Sequence, residues 1–524
     1  MGSRGRDGKG TVYLVGAGPG DPGLFTLRGM ELLRRADVVV YDRLAAPRLL
    51  VNARRDAELI YVGKRVGSHA VRQEQINQIL VDKALEGKMV VRLKGGDPFI
   101  FGRGGEEAQF LAQHSIPFEI VPGVTSAISV PAYAGIPLTH RAYTASVALI
   151  TGHRKMEEHE AEVDWEGLAK GVGTLVFLMG MTNLPTIAAR LMEFGRRPDT
   201  PAAVIRWGTT PRHRTVTGTL ADIAQRVKEA GLKPPAIIVI GDVIALRPQL
   251  QWFEKRPLLG RRIVVTRTRD QASDLVRLLE AQGAWCIECP TIETVPIRDP
   301  ERLLAAVGRL TRSPGGWVVF TSANGVRYFV EGVLEAGRDL RVLGGARLAV
   351  VGQATAKALE PYGLRPDLVP QDFRAEGLIE ALRDRQVSGV PVLIPRARKA
   401  RELLPRALEE MGARVEVLPV YETVPAELPP LSRDALEQGP VDMLTFTSSS
   451  TVKNFMGRFP RELRDRLVAE AAVCAIGPIT AATCREMGLE VAVMPETSTI
   501  PAMVDAVVAW FTRGGDGKTG PEEK

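Results

Sequence analysis

The residues of this chain that could do chemistry sit mostly in two glycine-dense loops and three hydroxyl-rich ones. Gly16-Ala17-Gly18-Pro19-Gly20-Asp21-Pro22 follows directly on the apolar run Val12-Tyr13-Leu14-Val15. Glycines after a strand permit a tight turn and a close approach of backbone to a ligand. A dinucleotide is one candidate, with Asp42 at the end of the second strand as its ribose acceptor. The spacing Gly-x-Gly-x-Gly-Asp-Pro is not Gly-x-Gly-x-x-Gly, however, and Pro19 and Pro22 remove donors that a pyrophosphate needs. The second loop lies in the run Val90 to Glu107, with Gly95-Gly96-Asp97-Pro98 and Gly102-Arg103-Gly104-Gly105. Two glycine pairs, an aspartate and flanking aromatics exceed what a turn requires and suit a ligand lying against the backbone. Beyond residue 260 there is no histidine and no nucleophile–base motif. Instead Thr321-Ser322-Ala323-Asn324-Gly325, Thr447-Ser448-Ser449-Ser450 and Gly477-Pro478-Ile479-Thr480 each follow a strand and open a helix. Such loops cap helices and present N–H groups to anions.

These loops need strands and helices to hold them. Strand-like runs alternate with helix-like stretches throughout, the α/β pattern. The pattern breaks near 247–260, at Pro248, Pro257 and Gly260, and resumes at Arg262-Ile263-Val264-Val265, which places the main boundary there. After it the sequence repeats itself. Phe320-Thr321-Ser322 with Val326 and Phe329 recurs as Phe446-Thr447-Ser448 with Val452 and Phe455. Gly352, Thr355-Ala356 and Gly363-Leu364 recur as Gly477, Thr480-Ala481 and Gly488-Leu489. Arg267, Gly283-Ala284 and Pro290 recur as Arg396, Gly412-Ala413 and Pro419, and the segments 290–296 and 419–425 share Pro-x-x-Glu-Thr-Val-Pro. Two copies are too few for a solenoid. They suggest two α/β lobes with a ligand cleft between them.

Composition narrows the function. The 524 residues call for three to four compact units, and 45% hydrophobic with 25% charged residues is a globular profile. No apolar run approaches a membrane span, and Met1 to Lys9 lacks the apolar core of a secretory signal, so a cytoplasmic protein is expected. A net charge of +7 favours anionic partners, a nucleic acid or a small polycarboxylate. Dispersed basic residues and 6% aromatics disfavour a base-stacking surface, so no nucleic-acid partner is expected. Cys286 and Cys289 form a lone Cys-x-x-Cys in a strand-like stretch, no His-Glu-x-x-His occurs, and no metal site is expected.

At this level of detail the first half resembles the tetrapyrrole methylase family, and within it uroporphyrinogen-III C-methyltransferase. The resemblance is carried by Gly16–Pro22, Val39–Arg43, Val62–Arg65, Val91–Glu107, Val121–Ser126, Ser129–His140, Thr174–Gly180, Ala202–Thr209 and Val216–Leu220. It implies a two-lobed fold over 10–247, with lobes of about 10–121 and 122–247, and S-adenosyl-L-methionine folded between them. By motif position the cofactor contacts are Pro19, Gly95, Gly96, Asp97, Ile100, Thr125, Ser126, Met179, Gly208 and Ala236. Asp42 matches the family's proton acceptor and Lys64 its proton donor, with Arg43 and Arg65 beside them as partners for substrate carboxylates or for Asp42 itself. Arg206-Trp207 stands before Gly208 where the family often has Glu-Asn. The reaction implied is attack of an electron-rich pyrrole carbon on the sulfonium methyl, which needs orientation and a proton acceptor.

The second half, 260–512 after a linker at 248–259, resembles uroporphyrinogen-III synthase. Val264–Arg267, Phe320–Phe329, Val351–Ala358, Leu393–Leu404, Val420–Thr423, Thr445–Phe455 and Ile476–Thr483 carry the likeness. It implies flavodoxin-like lobes, 260–291 plus 423–512 and 296–418, joined by a two-stranded linker at the Pro-x-x-Glu-Thr-Val-Pro copies. The sequence repeat would then not coincide with a lobe. The implied reaction closes hydroxymethylbilane with its last ring inverted. Tyr421 matches the family's candidate for assisting hydroxyl departure, and Thr321, Ser322, Ser448, Ser449 and Thr480 are candidates for holding substrate carboxylates. The rear half would make the front half's substrate, tetrapyrroles being the partners of both, and the methylase family implies a homodimer through the front half. The competing reading is an RNA methylase fused to a two-lobed ligand-binding module.

Overall fold

The architecture follows from twenty strands among the described residues, most of them built mainly of apolar residues. In a computed structural model, which describes residues 8–42, 47–54, 56–63, 72–152, 163–266, 269–312 and 315–515, they form four five-stranded sheets. Sheet one holds β1 (Val12–Gly16), β2 (Val38–Tyr41), β3 (Glu58–Tyr61), β4 (Val90–Lys94) and β5 (Phe118–Val121) in the order β3-β2-β4-β1-β5, all parallel. Sheet two holds β6 (Val147–Thr151), β7 (Thr174–Leu178), β8 (Pro201–Arg206), β9 (Arg214–Thr219) and β10 (Ala236–Ile240) in the order β6-β7-β10-β8-β9. Only its β6–β7 pair is parallel. Each strand of a parallel sheet is covered on both faces, so it reads as a continuous apolar run. In β1, Tyr13 and Val15 enter one core while Val12 and Leu14 enter the other. In sheet one, chain order reverses between β4 and β1, which opens a crevice at their C-terminal ends, where such sheets bind ligands.

The rear half is two further sheets. Sheet three contains β11 (Arg262–Val265), β12 (Trp285–Glu288), β18 (Met443–Phe446), β19 (Ala472–Ala475) and β20 (Val491–Val493), ordered β12-β11-β18-β19-β20 and all parallel. Sheet four contains β13 (Ile292–Pro296), β14 (Trp317–Phe320), β15 (Arg347–Val350), β16 (Pro391–Ala397) and β17 (Arg414–Pro425), ordered β13-β17-β16-β14-β15. The long strand β17 pairs parallel with β16 up to Tyr421 and antiparallel with β13 from Tyr421 to Pro425. The two Pro-x-x-Glu-Thr-Val-Pro copies therefore form the two-stranded connection, with Thr294 opposite Thr423, Ile292 opposite Pro425 and Pro296 opposite Tyr421.

The sequence repeat does not coincide with these sheets. Its first copy supplies β11 and β12 to sheet three and β14 and β15 to sheet four; its second supplies β16 and β17 to sheet four and β18 and β19 to sheet three. Each sheet thus takes strands from both copies. Equivalent residues do equivalent work. Phe320 meets Phe329 edge-on with centroids 5.7 Å apart, and Phe446 meets Phe455 in the same way at 5.5 Å. Ser322 and Ser448 each accept from the backbone of a helix start, at Gly325 and Thr451. Among the described residues no helix is long and apolar enough to cross a membrane.

Candidate functional site

The loops leaving β1, β4 and β5 cross one another at glycines. Ala17 N donates to Lys94 O at 2.6 Å, and Gly18 and Gly96 exchange backbone hydrogen bonds of 3.2 and 2.7 Å. A Cβ on Gly16 would lie 2.5 Å from Gly123 Cα, and one on Gly102 would lie 2.7 Å from Pro98 O, so these glycines serve chain-on-chain packing. Gly96 differs. Its φ is +70° and a Cβ there would meet nothing nearer than 3.8 Å, so backbone at this point borders open space. The ligand-facing part of the loop is therefore narrower than its glycine content suggests. Gly95 beside it is half-buried. Asp97 spends its carboxylate on the loop itself: Oδ1 accepts from Phe99 N and Ile100 N at 2.8 and 3.1 Å, and Oδ2 from Gly123 N at 3.0 Å. That turn leaves Phe99, Ile100 and Phe101 exposed.

The opposing rim comes from sheet two. Met179, just past β7, is half exposed with φ 56°; Trp207 and Thr209 have φ 49° and 67°. Phe101 and Arg103, in the loop after β4, have φ 51° and 60°. Such left-handed conformations cost about 1–3 kcal/mol each and collect where structure serves function. The rims are tied together: Asp21 N donates to Thr209 Oγ1 at 3.3 Å, and Tyr133 Oη donates to Asp21 Oδ2 at 2.7 Å. Burial, with the Asp21 hydrogen bond, raises the Tyr133 phenol above its ordinary range. Pro19 is half-buried between these contacts. Thr125 is buried and caps the helix Ser126–Tyr133, leaving Ser126 half-buried at its first turn. Gly208 is buried against Val130 of that helix, and Ala236 begins β10 opposite Arg206.

Asp42 lies one residue beyond β2, a quarter exposed, with Arg92 Nη2 3.3 Å from its Oδ2. Its described partner is thus Arg92; Arg43, Lys64 and Arg65 lie outside the described residues. Arg92 leads into a cluster that spacing alone did not single out. Arg92 Nε is 3.4 Å and Lys94 Nζ 2.7 Å from Glu107 Oε1, which also accepts from Gln73 Nε2 at 3.1 Å. Arg92, Lys94 and Glu107 are 4%, 3% and 0% exposed. Burial, reinforced by the Arg92 cation, pushes the Lys94 ammonium below its ordinary range against the pull of Glu107. The available signal was Arg92 and Lys94 at alternate positions of an otherwise apolar strand, hence on one face of β4.

In the rear half, two separately predicted residues meet. Tyr421 is buried, and its hydroxyl lies 3.2 Å from Ser322 Oγ. Its ring stacks on Tyr328 at 5.4 Å, and Tyr328 Oη donates to Thr294 O at 2.6 Å. Tyr328 was hidden inside the apolar face of its helix. Thr321 is half-buried next to Ser322. On sheet three, Ser448 Oγ is 2.9 Å from Ser450 Oγ, and Ser449 Oγ accepts from Thr483 Oγ1 at 2.8 Å. Thr480 is 5% exposed, so its hydroxyl offers little surface to a ligand. Cys286 and Cys289 are buried in and beside a strand. Burial pushes the Cys286 thiol up to about 12, which keeps it from acting as a thiolate near neutrality.

Two family models match the chain: Tetrapyrrole (Corrin/Porphyrin) Methylases over residues 11–224 and Uroporphyrinogen-III synthase HemD over residues 273–505. The "Porphyrin biosynthesis protein HemD" of Ruminiclostridium josui is 40% identical over 500 residues, 95% of this chain and 98% of that protein. The "Uroporphyrinogen-III C-methyltransferase" of Bacillus subtilis is 44% identical over 363 residues, 69% of this chain and 74% of its own. A "Siroheme synthase" of Pseudomonas fluorescens is 57% identical over 245 residues, 47% of this chain and 52% of its own. The chain belongs to the proteins in which a tetrapyrrole methylase is fused to a uroporphyrinogen-III synthase.

Proposed function

We propose that the rear half cyclises hydroxymethylbilane to uroporphyrinogen III and that the front half methylates this product twice, giving precorrin-2. The observation that carries this is the pairing of the two families in one chain, matched nearly end to end by a single relative. The RNA-methylase alternative has no support from these matches, which all concern porphyrin or sirohaem enzymes. A cytoplasmic location and pairing of two chains through the front half belong to the same reading.

S-adenosylmethionine supplies an electrophilic methyl group when bound. The residues fit such a ligand: open backbone at Gly96, an apolar rim at Ile100 and Met179, and strained loops leaving both sheets. Pro19, Gly95, Gly96, Asp97, Ile100, Thr125, Ser126, Met179, Gly208 and Ala236 would hold it, Asp97 by shaping the turn and Gly208 by letting its loop close on Val130. Asp42, partly exposed and held by Arg92, accepts the proton released as the macrocycle rearranges. Lys64 donates one, while Arg43 and Arg65 hold carboxylates. In the rear half the Tyr421 hydroxyl, oriented by Ser322 and by its stack on Tyr328, assists departure of the substrate hydroxyl. Thr321, Ser322, Ser448 and Ser449 line the helix starts that receive carboxylates, and the buried Thr480 supports such a helix start from within. We place the units at 10–247 and 260–512, with rear lobes of 260–291 plus 423–512 and 296–418. Incubation with hydroxymethylbilane and S-adenosylmethionine, followed by mass analysis, should give a macrocycle carrying two added methyl groups. Uroporphyrinogen without added methyls, or no macrocycle at all, refutes the corresponding half of the proposal.

A further inference from the structure

Among the described residues the two halves meet through three sets of contacts, and two of these fall on segments that flank the methyl-donor site. The first is the stretch 248–259 itself. Trp252 Nε1 donates to Ala132 O at 3.2 Å, and Phe253, 3% exposed, packs on Tyr133 and His213 with centroids 4.9 and 5.5 Å away. Arg256 lies over both Trp252 and Phe253, and Leu258 N donates to Gln282 O at 2.9 Å while its side chain is fully buried in the rear core. A segment pinned to both sides does not behave as a flexible tether.

The second contact covers a sheet edge. β12 is the edge strand of sheet three: Trp285 N and Cys289 N donate to β11 or its flanks, and the Cys286 and Glu288 carbonyls point the other way. An uncovered edge invites pairing with other chains. Here Arg48 Nη2 donates to Cys286 O at 2.7 Å, the same guanidinium pairs with Glu280, and it lies 3.7 Å from Glu288. Ser432 Oγ donates to Glu288 O at 2.6 Å. Arg48 belongs to the short turn Pro47–Asn52 that follows Asp42, anchored by the fully buried Leu49. In the third contact the Arg212 guanidinium lies 3.9 Å from the Trp207 ring centroid and 5.0 Å from that of Trp285, whose ring also faces Arg262 at 4.8 Å. Trp207 immediately precedes Gly208.

One strand of the rear half thus reaches the chain after Asp42 on sheet one directly and, through Arg212, the loop around Gly208 on sheet two. We infer that β12 is a brace across the methyl-donor cleft. It fixes the two lobes of the front half relative to each other, so donor affinity depends on the rear half being docked. The donor-affinity part rests on the function proposed above; the brace itself does not. Trp207, which shares the Arg212 guanidinium with Trp285, is on this account a docking residue for the synthase half.

The test uses the full chain with Arg48→Ala, Arg212→Ala and both together. Hydrogen exchange is followed over 38–52 and 203–213, and S-adenosylhomocysteine binding by calorimetry. The double variant should exchange faster in both segments and bind about tenfold more weakly, within the usual range of coupling between sites. Cyclisation of hydroxymethylbilane should be retained, reporting a folded rear half. Arg48→Glu should open the site, and adding Glu280→Arg should partly close it again. Wild-type exchange in both segments of the double variant overturns the brace. A wild-type chain that fails to bind S-adenosylhomocysteine overturns the donor reading instead, and the exchange measurement still decides the brace.

Discussion

Asp42, Arg92, Lys94 and Glu107 place two cations and two carboxylates in a nearly dry setting, with Asp42 alone reaching solvent. Arg92 holds the Asp42 carboxylate at the solvent edge of this cluster. Asp42→Asn keeps the shape and removes the basicity. It should lower methylation by a factor of about 100 or more while leaving cyclisation intact, measured with uroporphyrinogen III and hydroxymethylbilane in separate assays. Tyr421→Phe removes the hydroxyl but keeps the stack on Tyr328. Cyclisation should slow by roughly ten- to a hundredfold, with methylation of supplied uroporphyrinogen III unchanged. Much of this was readable at the sequence level because Asp42 and Tyr421 sit in motifs. The Arg92 and Lys94 partners were not: Asp42 lies 50 residues from Arg92, and Glu107 lies 15. Such pairing is made by strand order, which no local spacing encodes.

At the scale of elements, the glycine loops show how one motif serves two purposes. Gly123→Ala would put a Cβ 2.6 Å from Gly16 Cα, with backbone on both sides and no flexible side chain to yield. The crossing must open, and donor binding should be lost along with roughly 2 kcal/mol or more of stability, read by calorimetry and thermal melting. A change at Gly96, where space is open but φ is +70°, should weaken binding and cost about 1–3 kcal/mol of backbone strain without forcing the crossing apart. The sequence distinguishes neither glycine from the other; only the crossing does. The junction carries its own titration. Burial acts to raise the Glu254 carboxyl, but the hydrogen bond from His213, with Arg247 nearby, outweighs it and holds the group below its usual value. A carboxyl lowered in the folded state contributes stability above its unfolded pKa of about 4.3, and this is lost as pH falls through the folded value. Glu254→Gln should therefore flatten the acid limb of the melting-temperature curve below about pH 5.

At the scale of the molecule, the parallel sheets were legible because strands buried on both faces leave apolar runs in the sequence, as in β1 and β11. The docking of the halves was not, since it rests on single side chains such as Arg48 and Trp285 whose types are unremarkable for a surface. The duplication was visible as text, yet its geometry carries more than the text. The connecting strands pair isologously. Thr294 faces its own counterpart Thr423, and the pairs on either side, Ile292 with Pro425 and Pro296 with Tyr421, exchange equivalent positions. That is how two identical subunits meet across a two-fold axis. Each copy gives strands to both sheets, so a chain with one copy alone could not complete a sheet, whereas two such chains could by trading strands. The rear half is in this sense a strand-exchanged homodimer whose subunits have been joined end to end between β15 and β16. Tyr421, standing where the other copy has Ile292, marks one place at which the joined pair has ceased to be symmetric.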